Sequence, residues 1–445
     1  MSSQQSPLII KDWNGIAESP HKGFGLFRNA DLQSFPGAVK VNKKPGTYFH
    51  SITTRTFTAE ESTDVCTASD VIEANGQNFG GGAVYFTTTG TLPAGLAINT
   101  IYFLIQVSST TFKVATSYKN SVGTAAGTQI NITGAGTGTH TMTQVPIGTI
   151  NWIIEDPRIN NNYMLSSNGR VWFNASAGTR AYLLHNSAID TGAAAVTNAS
   201  GQGIAINPFS SATSTYLFVF RNTLVDVIDV FGTTAIEALS WSNAWKTMNT
   251  GAGSGNSHHA IVGEDNAIYF CDDRYVGSII ENSGSTFDPA SGATFTYNNQ
   301  ALDLPAYEIA QCLEEQGGSL LIGGNTFNKI YPWDRISNSF DLPLPVPEFA
   351  IKRMKNVGGL VFILPGTWGN IYTTQGSYVK FFAKIPTYLT NNAGTIMSNP
   401  STWGGIAAVN GDLLFGVGTT TSGNSGVWRL KQDGTLTIDN VPSSG

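Results

Sequence analysis

Acidic residues at the ends of short apolar runs are the first candidates for chemistry. Glu155, Asp156, Asp272, Asp273, Glu314, Glu315 and Asp334 all stand at such positions. Two carboxyl groups facing each other across a pocket can serve as acid and base on a glycosidic bond. Sequence alone sets no two of these seven opposite one another, and all are read as solvated turn residues. A sialidase-type site would need three grouped arginines, a Tyr–Glu pair and repeated S-x-D-x-G-x-T-W turns. No such turn is present, and Ser283-Gly284-Ser285-Thr286-Phe287 lacks both the Asp and the Trp.

His258-His259, followed by Glu264-Asp265, raises the question of a metal. Neighbouring residues on a strand point to opposite faces, so both imidazoles cannot reach one ion without distortion. The pair is read as the lead-in to a strand. Asp265-Asn266 and Asp272-Asp273 lack the calcium-loop spacing. Gly80-Gly81-Gly82 and the Gly134–Gly138 run lack the Lys-Ser/Thr that a phosphate loop requires. His21, His50 and His185 stand alone among loop residues, and no G-x-S-x-G nucleophile turn occurs. His140, inside a Gly-Thr run, is read as solvated. Cys66, Cys271 and Cys312 are too few for a disulfide framework and have apolar neighbours, so they are read as buried thiols. No catalytic, cofactor-binding or metal-binding residue is assigned.

The elements that hold these residues follow a repeated phrase: a polar turn, then a short apolar strand ending in Gly, Asn or Asp. The copies are Ser167–Asn174, Thr215–Asn222, Glu264–Asp272, Gly317–Gly324, Gly358–Gly366 and Asn410–Gly416. They recur roughly every 40 to 55 residues, a spacing typical of propeller blades. Three are followed by a second strand, at Thr326–Trp333, Gly369–Thr374 and Gly426–Lys431. The expected fold is all-β: a six- or seven-bladed β-propeller with an inserted small β-domain. A long β-sandwich or β-solenoid is the competing arrangement. The expected divisions are 1–57 (an N-terminal arm and first propeller strands), 58–147 (the small β-domain) and 148–445 (the blades).

Composition agrees. Only 12% of the 445 residues are charged, about half the usual share, while Gly alone contributes 49. A surface of hydroxyls and amides suits a chain built of turns that lives against other proteins. The net charge of −6 gives no basic footprint for nucleic acid and no polybasic membrane patch. Met1–Ser6 has neither the basic nor the apolar region of a signal peptide, and no run of 18 apolar residues occurs. Synthesis in a cytoplasm is expected, with arrival outside by assembly or lysis.

In chain order, Pro36-Gly37 sets a turn before a short strand at Ala38–Asn42. In the small β-domain, strands are expected at Ala83–Thr87, Ile101–Gln106, Thr111–Thr116, Thr128–Thr133 and Gly138–Thr143. So short a module is expected to bury little apolar surface. Val225–Val230 alternates as a strand. Thr234–Thr250 reads as a loop, with one or two helical turns as the alternative, whose Trp241 and Trp245 pack on the ring. Pro343–Pro347 is a stiff connector, and Asp433-Gly434 turns into a last strand at Thr435–Asn440.

Two stretches carry a family resemblance. Arg28-Asn29-Ala30-Asp31 with Ser34-Phe35-Pro36-Gly37-Ala38-Val39-Lys40-Val41 resembles the start of tailed-phage nozzle or tail-hub proteins. Leu92–Leu96, Ile101-Tyr102-Phe103, Thr110–Ala115 and Gly134–His140 resemble a small β module of phage structural and tail proteins, departing at Ala97-Ile98-Asn99. The resemblance implies a non-enzymatic virion protein of a tailed bacteriophage, a tail nozzle or hub. Its copies, taken as six, would form a homo-oligomeric ring around the DNA exit channel, touching adaptor, portal-side and fibre proteins. DNA would pass without specific binding along a mildly acidic lumen. The first rival is a receptor- or glycan-binding tail adhesin using Trp333, Trp368, Trp403 and Trp428 at blade loops. A polysaccharide-cleaving enzyme is the second.

Overall fold

The computed structural model describes residues 54–72, 82–98, 100–116, 129–145, 150–156, 161–166, 171–174, 182–183, 203–207, 216–221, 223–229, 241–249, 258–282, 295–366, 369–384, 403–409, 411–417 and 426–440. Every regular element among them is a strand. Ala38–Asn42, expected to be a strand, lies outside the described residues.

Six strands close a small barrel: β1 (Thr54–Glu60), β2 (Val65–Ala68), β3 (Ala83–Thr88), β4 (Ile101–Gln106), β5 (Thr111–Ala115) and β6 (His140–Gln144). Their order is 1-2-5-4-3-6, closed by β6 pairing with both β1 and β3. Alternation drives it: in β1, Phe57 turns inward while Thr56 and Thr58 face out. Phe57 lies 5.0 Å from Phe86 and 5.9 Å from Phe112, ring centre to ring centre. Asp64 stands in a left-handed turn and accepts hydrogen bonds from the Ile132 N–H (2.7 Å) and Gln129 Nε2 (3.1 Å).

Four expectations are corrected here. Thr54–Phe57, assigned to the arm and propeller, belong to the barrel through β2 and β6. The module buries a true core, including Val84, Leu104 and Val114, because closure hides one face of every strand. Thr128–Thr133 supplies an isolated bridge at Gln129 instead of a strand. His140 is buried, its ring nitrogens bonded to Thr88 Oγ1 (2.9 Å) and the Ala135 carbonyl (3.0 Å).

The remaining strands form six sheets. Blade one is β7 (Ile150–Asp156), β8 (Asn161–Ser166), β9 (Val171–Asn174) and β10 (Tyr182–Leu183). Blade two is β11 (Gly203–Ile206), β12 (Tyr216–Arg221), β13 (Leu224–Asp229) and β14 (Trp241–Thr247). Blade three is β15 (Ala260–Val262), β16 (Ile268–Asp272), β17 (Tyr275–Glu281) and β18 (Phe295–Asp303). Blade four is β19 (Ala310–Gln316), β20 (Ser319–Gly324), β21 (Lys329–Asp334) and β22 (Ser339–Phe340), with β23 (Leu344–Pro345) also on β21. Blade five is β24 (Ile351–Val357), β25 (Leu360–Pro365), β26 (Asn370–Thr374) and β27 (Val379–Lys384). Blade six is β28 (Trp403–Val409), β29 (Asp412–Val417), β30 (Gly426–Leu430) and β31 (Leu436–Asn440).

Each sheet is an antiparallel meander, and its first strand touches the first strand of the next blade. The circuit ends with β28 against β7, which makes a closed six-bladed propeller. The second strands explain the repeated phrase. In β12, Leu217 and Val219 pack toward blade one, while Tyr216, Phe218 and Phe220 pack toward blade three. A strand covered on both faces reads as an unbroken apolar run. Apolar cores of this kind fill all five junctions from blade one to blade six.

Five copies of the phrase fall on second strands. The first does not: Val171–Asn174 is the third strand, and β8 holds the equivalent place. Trp241–Thr247 is an outer strand, neither loop nor helix, and Trp245 sits against Phe218, Phe295 and Tyr297. Leu344–Pro345 of the expected connector is hydrogen-bonded to blade four as an added edge strand.

Candidate functional site

The first strands of blades one, three and five are not neighbours, yet side chains from all three meet at the axis. Trp152 of β7 stacks on His259, just before β15, with ring centres 4.6 Å apart. The Arg353 guanidinium of β24 lies 5.4 Å from the same indole. Gly203, at the start of β11, abuts the His258 carbonyl so closely that a Cβ there would collide with it. This lets blade two bring its first strand against the residues leading into β15.

His259 Nδ1 accepts the Leu313 N–H at 2.9 Å, which leaves the ring proton on Nε2. Burial, then the charges of Arg353 and Lys355, hold this imidazole well below the ordinary histidine range. His258 turns elsewhere, its Nδ1 3.0 Å from the Cys271 carbonyl. The adjacent histidines therefore take separate partners, as strand geometry requires. Among the described residues no group of three His, Cys, Asp or Glu is placed to hold a metal ion.

A second set of charges lies at the ends of the first strands. Lys355 donates to both oxygens of Glu314, at 2.9 and 3.2 Å, joining blades five and four. Burial raises the Glu314 pKa, and Lys355 opposes that rise. Glu315, on the other face of β19, pairs with Arg335, which also reaches Asp265 at 3.4 Å. Tyr269 donates to Asp265 at 2.6 Å. Burial, then that contact, pushes its hydroxyl up.

The seven carboxylates picked from sequence thus have different fates. Glu314 and Glu315 are buried ion-pair partners, correcting the solvated reading. So is the reading of Asp272, which is fully buried and accepts from the Asn249 N–H (2.6 Å) and Nδ2 (2.9 Å). Asp334 caps its own turn through the Ile336 N–H and the Ser337 hydroxyl, and Asp273 occupies a left-handed turn. Glu155 and Asp156 lie on β7, but their side chains are outside the described residues. So are His21, His50, His185 and Ser283–Phe287. Asp265 and Glu315 both lie against the Arg335 guanidinium.

Two acids escaped sequence reasoning. Glu308 is buried ahead of β19 and accepts from the Thr326 N–H (2.7 Å), the Phe327 N–H (3.2 Å) and Tyr331 Oη (2.8 Å). Glu348, ahead of β24, likewise takes Tyr372 Oη at 3.0 Å together with Asn370 Nδ2. The shared signal was present in Glu308-Ile309-Ala310 with Lys329-Ile330-Tyr331, and in Glu348-Phe349-Ala350 with Asn370-Ile371-Tyr372. Cys66, Cys271 and Cys312 are buried and form no disulfide with one another, and burial pushes Cys66 up to about 12. Trp333, Trp403 and Trp428 are core residues. They are therefore not sugar platforms, and Trp368 lies outside the described residues.

No protein-family profile matches the chain, and no curated protein matches it. Several solved structures align with part of it. Virginiamycin B lyase from Staphylococcus aureus aligns with a TM-score of 0.44 at 11% identity, covering 67% of this chain and 86% of that one. The β-propeller domain of Myceliophteria thermophila Cps50 (Swd1) aligns at 0.42 and 8%, covering 66% and 86%. The WD40 repeats of RRP9 align at 0.40 and 11%, covering 65% and 79%.

Proposed function

We propose that this is a non-catalytic structural protein of a tailed-phage virion, acting in the tail as nozzle or hub. The supporting observation is how the ring uses its charge. Asp272, Glu308, Glu314, Glu315 and Glu348 are all buried, and each joins separate loops, strands or blades. Charge spent in this way fixes geometry, the property that a tail component must supply. The module at residues 84–143, similar to phage structural modules, supplies the context.

Mass spectrometry and imaging of purified particles test the reading. The chain is expected in the tail, as a symmetric ring around the DNA path. Its absence from particles would overturn the assignment. Release of reducing ends from capsule or lipopolysaccharide by the purified protein would overturn the non-catalytic part.

One observation favours a second reading, the tail adhesin. Tyr307 is 86% exposed although its backbone is left-handed (φ 71°), a costly combination for a bulky residue. Phe327 and Phe349 are exposed on loops at the same end of blade four. Glycan-array binding lost in Tyr307→Ala would support this reading.

A further inference from the structure

The rims of blades four and five expose apolar side chains, of which Phe381 also meets Tyr372 edge-on. Ile336 is 93% exposed and Leu342 87%, with Phe340 partly exposed between them. On blade five, Tyr378 and Phe381 are both more than half exposed. Ile336 and Tyr378 occupy the same turn of adjacent blades, between third and fourth strands. Aromatic side chains cover about 150–250 Å² each. Blade four presents Ile336, Phe340 and Leu342 and blade five Tyr378 and Phe381, so a contact of one rim with the other has a small apolar centre, below the roughly 800 Å² that each partner contributes to a standard interface.

Charge divides this surface. Exposed Asp341 sits beside Leu342 on blade four, while exposed Lys380 and Lys384 lie on β27 of blade five. The Lys380 ammonium is held 4.8 Å over the Tyr378 ring. Asp341 of one copy can therefore face Lys380 and Lys384 of another, with exposed Lys329 also on blade four. The edge of blade four also limits how a partner can bind. The Val346 N–H points inward, to the Asn328 carbonyl at 2.7 Å, and Leu344 and Pro345 pair with Ile330 and Lys329. Strand alternation turns positions 343, 345 and 347 outward, and all three are proline. Along 343–347 that edge offers no N–H to an incoming strand.

We propose that copies of this chain associate through these rims, blade four of one against blade five of the other. The contact is apolar packing framed by Asp341 opposite Lys380 and Lys384, without strand addition. It does not depend on the tail assignment. Sedimentation of the full chain tests it at concentrations up to about 100 μM. Self-association is expected, weakened on the order of tenfold by Asp341→Lys or by Lys380→Glu with Lys384→Glu. Combining these reversals should restore it, and Leu342→Lys should abolish it. All these side chains are exposed, so melting temperatures should stay unchanged. A chain that remains monomeric throughout, or variants that melt normally and associate like the parent, would overturn the proposal. Rim-dependent association of a chain absent from particles would overturn only the tail assignment.

Discussion

Glu308 shows what a single buried carboxylate contributes to this ring. It accepts from the Ile309, Thr326 and Phe327 N–H groups and from Tyr331 Oη. Glu308→Ala leaves those donors unpaired, the Tyr331 hydroxyl among them buried, and should cost about 3 kcal/mol in urea unfolding. Tyr331→Phe removes one donor only and should cost about 1 kcal/mol. His259 makes a prediction about pH. Its native pKa lies below the ordinary 6.5, so in acid the unfolded chain takes up the proton more readily. The stability that this neutral ring contributes is complete above about pH 6.5 and drains away as pH falls. Glu314, raised above 4.5, runs the other way. The readout is therefore the difference between wild type and His259→Gln, which should narrow in melting experiments as pH drops from 7.5 to 5. Sequence made the histidines' lead-in position legible. It did not reveal the stack on Trp152, because residues more than a hundred positions apart meet only once the ring closes.

At the scale of elements, the second strands were legible because both faces are buried, and each reads as an unbroken apolar run. Trp241–Thr247 was not. Its tryptophans are four residues apart, a spacing that puts them on one face of a helix and also on one side of a strand. A break in register between β13 and β14, at Val225/Val227, blurs the alternation further. Trp245→Ala should destabilise the chain by about 3–5 kcal/mol, and the loss of its contacts with Phe218 and Phe295 should loosen the second and third blades together. Hydrogen exchange in β14 and β18 would report it. The barrel's first strand was cut at residue 58 because its partner β6 lies some eighty residues downstream, beyond the reach of local pattern. A fragment spanning residues 54–145 carries its own closed sheet and core, and should give a dispersed NMR spectrum and cooperative melting.

For the molecule as a whole, the blade period was legible and the count became six once the strands were placed. Each described blade is spelled by one uninterrupted stretch of chain, and blade six meets blade one through β28 and β7. The hub has a consequence of its own. An indole, an imidazole and a guanidinium converge where an open-centred wheel would have a bore. A conduit along this protein's own axle would have to pass those three side chains.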